Sequence, residues 1–161
     1  DLGLSERREA PMGCTLETLL VADEVCVLPP GHALAQKAVL APADFAGEPF
    51  VSLAPADPYR QQADAVFAAA GVQRRLLLDS PSAVSVCALV REGLGLGIVN
   101  PLTALALAGT GLVIRPFSVA IPFHVAVVLP QWRTEHPLRA ALLVALRDAA
   151  QDLQARLADP K

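Results

Sequence analysis

The sequence has no cluster of basic residues, no long apolar run and few aromatic side chains, and each shortage removes a class of function. Lys and Arg together number 13 against 16 Asp and Glu, giving a net charge of -3 and a pI near 5.5. The electrostatic footprint of a nucleic-acid binder is therefore missing, and any DNA contact must lie outside this chain. Hydrophobic residues make up 53% of the chain, which argues against disorder. They are interrupted throughout by Pro, Gly or charge, so no stretch approaches the ~20 residues of a membrane span. Cysteine is limited to Cys14, Cys26 and Cys87. An odd number, with the last two in apolar segments, reads as reduced, buried thiols in a cytoplasmic protein. Trp132 and Tyr59 are the only large amphipathic aromatics, and Trp132 reads as packing at a lobe edge. The first residues, Asp1, Leu2, Gly3 and Leu4, read as a strand end entered from upstream, and the chain as a fragment.

What is present is α/β patterning. Leu76, Leu77 and Leu78 form an apolar strand, and Asp79 or Ser80 is placed to cap a helix whose first turn takes Pro81. Residues 83–90 are apolar nearly all round, predicting a helix buried on more than one side and closed by Gly93. Leu96, Ile98 and Val99 continue as an interior strand, and Asn100 with Pro101 opens another helix. The whole is a βαβ unit with its two strands parallel. Strands are also expected at 24–28, 50–53, 112–117 and 123–129, with a helical turn at 42–45. Asp57 and Pro58 start a helix bearing Ala63, Val66, Phe67 and Ala70 on one face and ending at Gly71. Leu138, Leu142, Ala145, Leu146, Ala149 and Leu153 form the stripe of a long terminal helix. With chain crossings at 29–31 and 121–122, residues 31–120 make one complete α/β lobe. Residues 1–30 and 121–161 make a second that lacks its opening βα units.

The chemistry this pattern permits is binding. Helices starting near Asp57, Ser80 and Asn100 follow strands and present N–H groups toward one sheet edge, an arrangement suited to carboxylate or phosphate. Tyr59 and Arg60 occupy the first turn of one of them. An arginine there opposes the helix dipole, which anion binding would explain, as would a surface arginine bonded to water or a nearby Asp. Ser80 and Ser82 are capping residues that can also touch a ligand. Glycines 93, 95 and 97 follow a helix and precede a strand, the reverse of a dinucleotide-binding order. His32, His124 and His136 have no metal-ligand spacing among themselves or with the cysteines. No nucleophile elbow or P-loop occurs. Neither a metal, a cofactor nor catalysis is expected.

Three runs, EVCVLPPGHALA (24–35), the Tyr59-Arg60 helix closed by Gly71, and VREGLGLGIVNPLTAL (90–105), resemble the effector-binding domain of LysR-type transcriptional regulators. The resemblance covers essentially the whole chain. Within the family, the runs EVCVLPPGH, SVCALVREGLG, VNPLTAL and FSVAIPF are similar to regulators of lysine biosynthesis. The resemblance implies a two-lobed, type II periplasmic-binding-protein-like fold with a small effector between lobes, and a DNA-binding helix-turn-helix that this chain does not contain. It implies a homodimer or homotetramer without membrane attachment, and diaminopimelate or lysine as effector, controlling diaminopimelate decarboxylase expression. Aligned onto this sequence, it implies cleft positions at Glu6, Ser52 and Tyr59, with Glu6 for an ammonium; the helix starts themselves add Arg60 for a carboxylate and Ser80, Ser82 and Asn100 as further effector contacts. The family's first strand-to-helix loop, usually a principal contact, has no counterpart here. Two rivals share the fold class. An amino-acid solute-binding protein of a transporter would carry a signal peptide upstream, and an enzyme would need a reactive group at the site.

Overall fold

The computed structural model describes residues 2–158; Asp1, part of the expected first strand end, lies outside the described residues. In chain order the elements are β1 (Gly3–Ser5), β2 (Cys14–Asp23), β3 (Val25–Leu28), β4 (Pro49–Leu53), α1 (Pro58–Ala69), β5 (Arg75–Ser80), α2 (Ala83–Arg91), β6 (Gly97–Val99), α3 (Pro101–Ala106), β7 (Val113–Pro116), β8 (Pro122–Pro130) and α4 (Arg139–Ala158). Two 3-10 turns, Ala33–Gln36 and Pro42–Phe45, precede β4. The chain divides into two compact units, one of residues 1–22 with 122–161, the other of residues 23–121.

In the first unit the strand order is β1, β8, β2. β8 is a β-branched run, suited to a central strand, and β1 pairs with it antiparallel from Gly3 opposite Val128 to Ser5 opposite Ala126. The sequence reading has no strand at β2. CTLETLLVAD places Leu16, Leu19 and Leu20 at helical spacing, and the sheet overrides that local pattern. α4 forms where expected with its inward face turned part of the way round. Leu143 and Ala150 are its buried residues and Leu146 and Leu153 of the expected stripe are half-buried, whereas Leu142, and Leu138 just before the helix, are exposed. Residues 140–146 are apolar without a break, so periodicity alone selects no face. Arg147 joins α4 to β2 by donating Nε and a terminal nitrogen to the two carboxylate oxygens of Glu17, at 2.7 and 2.9 Å. That bonding lowers the Glu17 pKa and raises that of Arg147.

In the second unit β3 pairs antiparallel with β6 on one side and β7 on the other. Residues 25–28 thus fall within this unit, which runs from Asp23 to Ile121. β4 and β5 are parallel. Val51 N–H donates to the Leu96 carbonyl and Leu96 N–H to the Pro49 carbonyl, both at 2.8 Å, which binds β4 alongside the start of β6 in the parallel sense. β5, β4 and β6 therefore run the same way. The two strands of the expected βαβ unit are parallel, with β4 between them.

Phe45, Phe50, Phe67 and Phe117 form the core of this unit, with ring centroids 5.3–6.1 Å apart and mostly edge-to-face. α2 is buried on one face only, through Val86, Cys87 and Val90, while Val84 is exposed. Its approach to the sheet depends on Gly97, where an added Cβ would lie 3.0 Å from Val86 and 3.1 Å from Val27. β5 is an edge strand whose Leu76, Leu77 and Leu78 remain exposed. A register shift opposite Phe50 and Val51 leaves Leu77 without a partner on β4.

Candidate functional site

Parallel strands with following helices deliver their helix starts to one edge of the sheet, and the sequence caps each start with a short polar side chain. After β4, Asp57 Oδ1 accepts from the backbone N–H of Tyr59 at 2.8 Å and of Arg60 at 3.2 Å. After β6, Asn100 Oδ1 accepts from Thr103 N–H at 2.8 Å. After β5 the cap is Ser82, whose Oγ accepts from Ser85 N–H at 3.4 Å. That corrects the expected cap at Asp79 or Ser80 and the place of Pro81, which precedes the helix. Ser80 instead ends β5, and its Oγ accepts from Ser82 N–H at 3.2 Å, shaping the turn. Each such cap contributes about 1 kcal/mol.

Asp79 is free of capping because it is an ion-pair partner. Its Oδ1 accepts from Arg60 Nη1 at 2.7 Å, and the same nitrogen donates to the Leu53 carbonyl at 2.9 Å. Arg60 Nε donates to Asp64 Oδ2 at 2.7 Å, and Arg74 donates to Asp64 Oδ1. The arginine that opposes the α1 dipole is thus buried and held by two aspartates and a carbonyl. Burial works against the Arg60 charge, but the bonds to Asp79 and Asp64 outweigh it and raise its pKa. Burial would raise Asp64, yet Arg74 and Arg60 hold it below the usual carboxylate value. Arg74, whose pKa is lowered chiefly by burial, lies 4.0 Å from the centroid of Phe67 and 4.7 Å from that of Phe50. The network ties α1 to the ends of β4 and β5.

Six of the seven expected contacts, Ser52, Tyr59, Arg60, Ser80, Ser82 and Asn100, belong to the second unit and sit at or just beyond the carboxyl ends of β4, β5 and β6. Glu6 follows β1 in the first unit. Tyr59 and Arg60 are buried in the first turn of α1. Ser52 is 2% exposed, and among the described residues no hydrogen bond reaches its hydroxyl. Asp64, Arg74 and Asp79 are the site residues that the sequence reading did not pick out. The Arg60–Asp64 spacing of four was visible as a helix pair, whereas the partnership with Asp79 spans 19 positions and needs the fold.

Burial raises the thiol of Cys87 to about 11 and pushes Cys26 still higher, so neither is a thiolate near neutral pH. Among the described residues no group of three His, Cys, Asp or Glu is arranged to hold a metal, and no helix is long and apolar enough to cross a membrane.

This architecture matches the type II periplasmic-binding-protein-like regulatory domains. Residues 1–151 match the LysR substrate binding domain, and the chain belongs to that family. It is 51% identical over 138 residues to the transcriptional activator protein LysR of Escherichia coli K12, an alignment covering 86% of this chain and 44% of that protein. It is 37% identical over 154 residues to the regulatory protein NocR of Agrobacterium tumefaciens T37, covering 91% of this chain and 50% of that one. Among solved structures, the regulatory domain of CcmR from Synechocystis PCC6803, in complex with 2-PG, superposes with a TM-score of 0.76 at 17% identity, over 94% of this chain and 74% of that one. The chain spans about half the length of the curated relatives it matches.

Proposed function

We propose that the chain is the effector-sensing domain of a LysR-type transcriptional regulator that responds to a small amino-acid-like effector, diaminopimelate or lysine. Ser52, Tyr59, Arg60, Ser80, Ser82 and Asn100 are its contacts in the second unit. The observation that carries this reading is the row of three helix starts behind the parallel strands β5, β4 and β6, above all that of α2. There the flanking side chains are the neutral Ser80 and Ser82, so the partial positive charge of the helix start is not offset by an acid. A carboxylate fits that end. At α1 the Asp57 carboxylate already occupies the equivalent place, and Arg60 orders the site through Asp79 and Leu53.

The 51% identity to a transcriptional activator supports the regulatory reading. In it the protein acts in the cytoplasm as a sensor rather than a catalyst and as a homodimer or homotetramer. The units of residues 1–22 with 122–161 and of 23–121 serve as regulatory subdomains I and II. Effector binding favours one state of the assembly and so alters transcription of the diaminopimelate decarboxylase gene. DNA contacts come from a domain outside this chain. Titration calorimetry tests the effector class: diaminopimelate, and more weakly lysine, give saturable heat, whereas benzoate gives none. Binding of benzoate with no heat from either amino acid would refute the assignment.

A further inference from the structure

We infer that Asp79, together with Ser52, recognises an ammonium group of the effector; this rests on the amino-acid reading above and names the residues that enforce it. Ser52 and Asp79 are register partners on the parallel strands β4 and β5. Partners in a parallel pair project from the same face of the sheet on strands about 4.8 Å apart, close enough for both side chains to bond one ammonium. The Asp79 carboxylate is oriented before any ligand arrives. Arg60 holds Oδ1 at 2.7 Å, and among the described residues no bond reaches Oδ2. The Asp79 side chain is 45% exposed, so the open oxygen remains reachable.

Ser52 supplies the independent sign of a ligand. Its hydroxyl lies at the carboxyl end of β4 on a residue that is 2% exposed, and it has no hydrogen bond within the described residues. An ammonium has three donors and no acceptor, and the pair offers two acceptor oxygens. Asp64 and Asp79 balance Arg60 and Arg74 in the network, so no surplus positive charge there opposes an ammonium. Diaminopimelate presents two ammonium groups, and this pair takes one of them.

The test titrates the wild type, Asp79→Asn and Ser52→Ala with diaminopimelate and with pimelate, the same diacid without ammonium groups. Asn keeps an oxygen for Arg60 but loses the charge. The wild type is expected to prefer diaminopimelate by about tenfold or more, the range of a charged hydrogen bond. Asp79→Asn should erase that preference while pimelate affinity stays within about twofold, and Ser52→Ala should reduce the preference severalfold. A folded Asp79→Asn protein that still discriminates as the wild type does overturns the assignment of Asp79 alone. If Asp79→Asn does not fold, an unchanged preference in Ser52→Ala overturns it. Absence of diaminopimelate binding in the wild type overturns the amino-acid reading, and the assignment with it.

Discussion

Gly95→Ala destabilises the second unit by on the order of 3–5 kcal/mol, among the largest effects expected of a single added methyl group. Gly95 has φ +155, and a Cβ built on it would stand 2.5 Å from the Pro49 carbonyl oxygen and 2.7 Å from its carbon. Neither atom can give way, because Pro49 O accepts from Leu96 N–H at 2.8 Å in the contact that binds β4 beside β6. Moving the backbone would break the parallel arrangement that aligns the helix starts. In thermal unfolding the melting temperature should fall by roughly 6 °C or more, since about 1 kcal/mol corresponds to about 2–8 °C in domains of this size range. Gly93→Ala is the control. Gly93 also has a positive φ, but a Cβ there meets nothing within 4 Å, so its cost is confined to backbone conformation, about 1 kcal/mol. Equal melting temperatures for the two variants would contradict the β4–β6 junction.

Phe45→Ala should cost about 3–5 kcal/mol, the usual range for truncating a buried aromatic. Phe45 is fully buried on the 3-10 turn before β4 and packs against Phe50, Phe67 and Phe117. Its ring touches elements on both sides of the core, so a cavity there has no single neighbour able to fill it. Phe45→Leu restores part of the volume and should cost less than half as much, about 1–2 kcal/mol. Chemical denaturation of the two variants would measure the difference, and a Phe45→Ala midpoint equal to that of the wild type would contradict the packing described.

Signals carried within a few residues were legible in the sequence. Asp57 with Pro58 and Asn100 with Pro101 mark helix starts because the capping bond is local, and both caps form as read. Gly71 and Gly93, with φ of 65 and 86 degrees, close helices as read because few other residues adopt that conformation. Features decided by distant partners were not legible. β2 carries leucines at helical spacing and becomes a strand only because β8 pairs with it. α4 offers several apolar faces, and the choice among them is made by packing within its unit, not by local pattern. At the site, the odd position of Arg60 was visible, and a nearby Asp was one of the two explanations offered for it; the part played by Asp79 was not legible, because the pairing of β4 with β5 brings it there while Asp79 itself looked locally like a cap.

The central claim is that an amino-acid effector is read at the carboxyl ends of β4, β5 and β6, and hydrogen exchange with and without diaminopimelate tests it most directly. The account predicts slower exchange at the amides of residues 52–60 and 80–86, where β4 and β5 end and α1 and α2 begin. Protection confined to residues 2–22 and 122–158, or no protection anywhere at saturating diaminopimelate, would contradict it.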